Sequence, residues 1–124
     1  MSGGRRRLLY EVSAPVRASL GQLRALVDGD WLIDRLGWTP EKFAGGGLER
    51  SPGVLAGQGG WWYRGEFSAE EVGGRVRLVH RVFNVAPQGW WAPALANRLF
   101  IGYRAGIQRR VDELARAADS AVLS

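Results

Sequence analysis

A chain of 124 residues, with 46% apolar and 23% charged side chains, has the size and balance of one folded domain, 1–124, with a core that needs no metal or disulfide support. It holds no cysteine, which excludes disulfides, thiolate catalysis and zinc knuckles, and no apolar run approaches the ~20 residues of a bilayer-crossing helix. The net charge of +5 comes from 16 arginines and a single lysine, Lys42. That imbalance reads as the codon bias of a GC-rich genome, as in an actinomycete. Only Arg5-Arg6-Arg7 and Arg109-Arg110 cluster, and aromatic residues interleave neither run, so dispersed surface charge is expected rather than a nucleic-acid interface.

The N-terminal "MSGGRRRLLYEV" has basic residues but no long apolar stretch or small-residue cleavage site behind them, so no signal peptide and a cytoplasmic protein are expected. "RRLLYEVSAP" alternates as a strand ending at Pro15, with Leu8, Tyr10 and Val12 on one face and Leu9 and Glu11 on the other. Ser13 and Pro15 then supply a helix start, and Val16, Leu20, Leu23 and Val27 follow at helical spacing, with Gly29 as the stop. A shorter helix is expected from Asp30 as cap to Gly37. Residues 39–60 hold seven glycines and two prolines, and predict loop with one or two short strands. "AGGGLERSPG" within them lacks the lysine and following helix of a phosphate-binding loop.

"WWYRGEFSAEEV", Gly73-Gly74 and "RVRLVHRVFNV" form two alternating runs around a two-residue turn, the signature of a β-hairpin. With the two glycines as the loop, Val72 faces Arg75. Glu66 then falls opposite Arg81 and Glu70 opposite Arg77, two opposite-charge pairs on one face. On the other face Phe67 meets His80, Gly65 meets Val82 and Tyr63 meets Asn84. The chain closes with a long amphipathic helix beginning near Pro93, whose stripe runs Leu95, Leu99, Tyr103, Ile107, Val111, Leu114 and Ala118. Gly102 and Gly106 each cost this helix about 1 kcal/mol relative to alanine, and close approach to the sheet, or room for something between, is the expected reason.

The first strand closing on Ala14-Pro15, the Asp28…Trp31 pair after the first helix, the 61–85 hairpin and the helix from Pro93 together resemble the START-like superfamily. More narrowly they resemble its polyketide cyclase/dehydrase and lipid-transport group. That resemblance implies an α+β helix-grip fold: a curved antiparallel sheet wrapped around the long C-terminal helix, two short helices after the first strand, and an apolar cavity between sheet and helix. Such domains usually carry seven strands. The 55 residues between Gly37 and Pro93 barely hold them, so a reduced sheet is expected.

On that reading the face carrying Trp61, Tyr63, Phe67, Val76, Leu78, His80, Val82 and Asn84 is concave. The ligand would meet Tyr10, Trp61, Phe67, Leu78 and Val82 from the sheet and Leu99, Tyr103 and Ile107 from the last helix. His80 is the sole histidine. Desolvation between Leu78 and Val82 would keep it neutral and able to act as a general base, with Tyr63 and Asn84 donating to a developing enolate oxygen. The plainer alternative is a buried histidine satisfied by one hydrogen bond, to Tyr10 or Asn84, with Tyr63 and Asn84 satisfying each other. No metal or cofactor is expected from one histidine without cysteine. The function implied is binding of a small hydrophobic molecule, aromatic or polyketide-like, with cyclisation or dehydration built on it. A non-catalytic lipid or isoprenoid carrier or sensor is the alternative. On the opposite face Trp62, Phe83 and Val85 form an apolar patch, for which a partner subunit or the Gly-rich middle segment is the expected cover.

Overall fold

The computed structural model describes residues 7–43, 45–59, 63–85 and 104–123. Chain order is strand β1 (Arg7–Pro15), helices α1 (Leu20–Asp28) and α2 (Asp30–Leu36), a 3-10 turn (Pro40–Phe43), strands β2 (Gly45–Ser51), β3 (Val54–Gly59), β4 (Tyr63–Val72) and β5 (Arg75–Asn84), and helix α3 (Arg104–Leu123). The strands make one antiparallel sheet in the order β1-β5-β4-β3-β2, packed against α3. The class is therefore α+β, with two short helices after the first strand, as expected. The Gly-rich middle supplies two strands.

The β4–β5 register is the one the charge pattern requires, from Val72↔Arg75 to Tyr63↔Asn84. Gly73 and Gly74 take φ of 60° and 79°, the left-handed pair that a tight hairpin turn with native twist needs. The side-chain pairing on the outer face differs from direct cross-strand partnership. Arg81 lies along β4 over Ser68 to reach Glu70 at 2.5 and 3.1 Å, and also bonds Glu11 at 2.7 Å. Glu66 instead receives Arg64, 2.8 Å away, whose other nitrogen edge grips Glu49 on β2. Arg77 bonds the Ser13 hydroxyl. Arg81 thus bridges carboxylates on both neighbouring strands, Glu11 directly opposite on β1 and Glu70 diagonally on β4.

Three local expectations are corrected. A bulge between Leu8 and Tyr10 breaks the alternation in β1, placing Leu8 opposite Phe83 and exposing it, while Leu9 packs against the core. Helix α1 starts at Leu20 rather than after Ser13. Ser19 and Gln22 form a reciprocal capping box, and Val16 continues the strand pairing by donating to the Val76 carbonyl. Gly29, not Asp30, is the residue preceding α2, with Asp30 in its first turn and Gly37 closing it at φ 66°.

Leu23, Val27, Leu32 and Leu36 of α1 and α2 bury against Leu55, Phe67, Leu78 and Val82 of the sheet. The α1–α2 junction is clamped from below: Arg50 donates to the Asp28 and Gly29 carbonyls at 2.6 and 2.8 Å, and the Asp28 carboxylate accepts from Gly53 N–H at 2.7 Å. In α3, Val111, Leu114, Ala115 and Ala118 are buried, and 20 residues give it a length of roughly 30 Å. Gln108 covers the open edge of β1 by donating to the Ser13 carbonyl, and Asp119 accepts the backbone N–H groups of Arg17 and Ala18. The expected helical residues from Pro93 to Tyr103, including Gly102, lie outside the described residues. Gly106 does not mark a close approach: a β-carbon there would meet nothing within 4 Å. Among the described residues no helix is long and apolar enough to cross a membrane.

Candidate functional site

The inner face of the sheet begins with three small residues. Gly57 and Gly65 face one another across β3–β4, and Gly59 faces Tyr63. Without side chains these positions leave a trough, and aromatic rings occupy it. Phe43, carried by the 3-10 turn, lies over Gly57 and Gly59, with its ring carbons 2.6–2.9 Å from where a Gly57 β-carbon would sit. The Tyr63 side chain folds along its own strand over Gly65. Ring contacts continue across the face. Phe43 stacks on Tyr63 at 6.5 Å, and Trp38 meets both Phe43 and Phe67 edge-on at 4.9 and 5.6 Å. Phe67 stacks on His80 at 4.1 Å, and Tyr10 meets His80 edge-on at 6.3 Å. Offset and edge-to-face pairs of this kind each add about 0.5–1.5 kcal/mol to area burial and hold the rings in fixed orientations.

Between this aromatic row and α3 lies a cleft of 310 Å³, walled by Trp38, Phe67 and His80 on one side and Ile107 and Val111 on the other, with Leu36, Tyr63, Lys42 and Arg110 completing it. A larger hollow of 570 Å³ lies between residues 15–19, the Gly74–Val76 end of the hairpin and Asp119. It has no aromatic wall, and its carboxylate is already engaged by the Arg17 and Ala18 backbone. The aromatic cleft is the candidate site.

His80 is buried, and its Nδ1 lies 3.0 Å from the Glu66 carbonyl oxygen. A carbonyl only accepts, so Nδ1 carries the proton and Nε2 keeps its lone pair. The hydrogen bond expected from Tyr10 or Asn84 is thus made by backbone, and Tyr10 contributes a ring contact. Burial pushes the imidazole from its ordinary 6.5 down to about 4; the Glu66 bond opposes that shift and the Arg110 charge adds to it. The two phenols are also held neutral: burial, with Tyr63 nearby, pushes Tyr10 up to about 12, and burial raises Tyr63.

Of the residues read from sequence, Tyr63, Phe67, His80 and Ile107 come together at the cleft. Leu78 and Val82 are fully buried core beneath it, with Tyr10 beside His80, and none of the three lines the space. Asn84 stands opposite Tyr63 in the ladder; its side chain, like Trp61, Leu99 and Tyr103, falls outside the described residues. So does Trp62 of the expected contact patch, whose other members, Phe83 and Val85, are half-buried. Sequence reasoning missed Trp38, Lys42 and Arg110. The available signal was chemical: the only lysine of the chain stands six residues after the end of α2, beside an aromatic in "WTPEKF". Compared with models of known protein families, with curated proteins and with solved structures, the chain matches none, so the reading of this cleft rests on its own geometry.

Proposed function

We propose that the protein binds a small, mainly apolar molecule of one or two rings in the cleft between the sheet and α3. The observation that carries this is the row of rings from Tyr63 to His80 facing Ile107 and Val111 across open space. Concave, largely apolar walls with a few polar groups are the general form of small-ligand sites, and 310 Å³ lies at the small end of their usual ~300–1,000 Å³ range. Such a volume suits a compact aromatic better than a long lipid or a folded polyketide chain. Five antiparallel strands against a C-terminal helix, with two short helices after the first strand, support the reduced helix-grip arrangement that the START-like resemblance implies.

The magnitude of the His80 shift favours binding over acid–base catalysis. A general base works best with a pKa near the working pH, and an imidazole held at about 4 is a weak proton acceptor at neutrality. What it offers is a fixed, neutral acceptor at Nε2 for a ligand hydroxyl or N–H. Titration with 2-naphthol, followed by calorimetry, tests the reading. Saturable 1:1 binding that is abolished when Ile107→Trp fills the cleft is expected. Binding that survives Ile107→Trp, or no binding to the wild-type protein, overturns it.

A further inference from the structure

We infer that the cleft selects an anion: an aromatic molecule bearing a carboxylate, sulfonate or similar acidic group. This rests on the binding reading above and adds the charge of the ligand to it. The cleft wall carries two cations, Lys42 from the 3-10 turn and Arg110 from α3, and no aspartate or glutamate among the described residues. Three other described cations on the sheet are spent, and Arg75 and Arg77, which make no ion pair among the described residues, do not line the cleft. Arg64 bridges Glu49 and Glu66, Arg81 bridges Glu11 and Glu70, and Arg50 is held by the α1–α2 carbonyls and Asp30. Lys42 and Arg110 make no ion pair among the described residues, although acidic neighbours Glu41 and Glu113 stand close in sequence on the same elements.

Both cations are exposed, so they stand at the mouth while the rings and aliphatic side chains form the floor. The two come from elements 68 positions apart in sequence (110 − 42), brought together only by the fold. Burial is the main reason His80 stays unprotonated, and the Arg110 charge adds to it. An imidazole kept neutral leaves positive charge at the mouth alone. A ligand with an apolar body and one acidic group therefore fits in a single orientation, rings against Phe67 and Trp38, anion between Lys42 and Arg110. Arginine offers a planar fork for a carboxylate or sulfonate and lysine a mobile point charge, so together they accept an anion without a rigid socket.

Two fluorescent probes of nearly the same aromatic body separate the claims. Naphthalene-2-sulfonate carries a sulfonate, and 2-naphthol lacks it. The wild-type protein should bind the sulfonate at least about tenfold more tightly, and that preference should shrink as salt rises. Lys42→Ala and Arg110→Ala should each weaken sulfonate binding by about threefold to fivefold, as for partly exposed ion pairs. Each should change binding of the neutral probe less than binding of the sulfonate, and neither should alter the circular dichroism spectrum. Equal affinities for both probes, both lost in Ile107→Trp, would leave the cleft standing and overturn the anion inference. A sulfonate preference untouched by Lys42→Ala/Arg110→Ala would overturn it too. Binding of both probes that persists in Ile107→Trp would overturn the cleft reading itself.

Discussion

Protonation of His80 should destabilise the folded protein in a window that its environment defines. In the unfolded chain the imidazole titrates near 6.5, and in the fold near 4. Between those values the unfolded chain holds a proton that the native state refuses, so stability is full above pH 6.5 and is lost as pH falls toward 4. The separation, 6.5 − 4, is about 2.5 pH units, which at 1.36 kcal/mol per unit is worth about 3 kcal/mol in all. About 2.5 kcal/mol of that falls between pH 7.5 and 4.5. The structure accounts for the size, because the ring is stacked on Phe67, approached edge-on by Tyr10, and bonded, among the described residues, at Nδ1 to the Glu66 carbonyl. A second proton would put a charge on a buried ring whose stacking partner is apolar. Urea unfolding of the wild type and of His80→Gln at several pH values isolates the effect. Carboxylates such as Glu70, held below their usual range by Arg81, contribute to both curves and cancel in the difference. A companion measurement is direct, since the chain has one histidine and its ring protons give one titrating NMR signal. A difference curve flat from pH 7.5 to 4.5, or a ring titrating at 6 or above, would refute the reasoning.

Two glycines should respond to alanine in opposite directions. At Gly57 a β-carbon would press into the Phe43 ring at 2.6 Å, so Gly57→Ala should cost about 1–3 kcal/mol in urea unfolding, as overpacked cores do, and Phe43→Leu in the same chain should restore part of the loss. At Gly106, exposed on α3 with nothing within 4 Å of a new β-carbon, alanine should raise stability by about 1 kcal/mol; an unchanged or lower value would mean the helix does not run through this residue as described.

The sheet was more legible than the site, for a physical reason. Strand pairing leaves a periodic trace, and in the hairpin charge, turn chemistry and alternation all agree on one register, Val72↔Arg75. A bulge leaves no such trace, so the displacement of Leu8 from the face of Tyr10 could not be anticipated. The start of α1 was misplaced because Ser13 and Ser19 both precede helical spacing, and only the Gln22 side chain returning to the Ser19 backbone decides between them. At the site, His80 and Phe67 were legible because they belong to the hairpin. Trp38, Lys42 and Arg110 were not, because tertiary packing alone brings a 3-10 turn and the last helix to the same opening.

The seating of the 3-10 turn bears on both the cleft's size and one of its two cations. Gly57 and Gly59 present bare backbone on the inner face of β3, and only a residue without a β-carbon lets the Phe43 ring lie that close. Phe43 is buried there and braced by Trp38 and Tyr63. Among the described residues, filling the trough at that end leaves open space between Phe67, His80 and α3, which keeps the cleft small. With about three residues per turn, neighbouring side chains in a 3-10 turn diverge by about 120°. Burying Phe43 therefore turns Lys42 outward, and Lys42 is the exposed cation at the cleft mouth. A pair of strand glycines thus bears on both the size of the cleft and the placement of one of the two cations that line it.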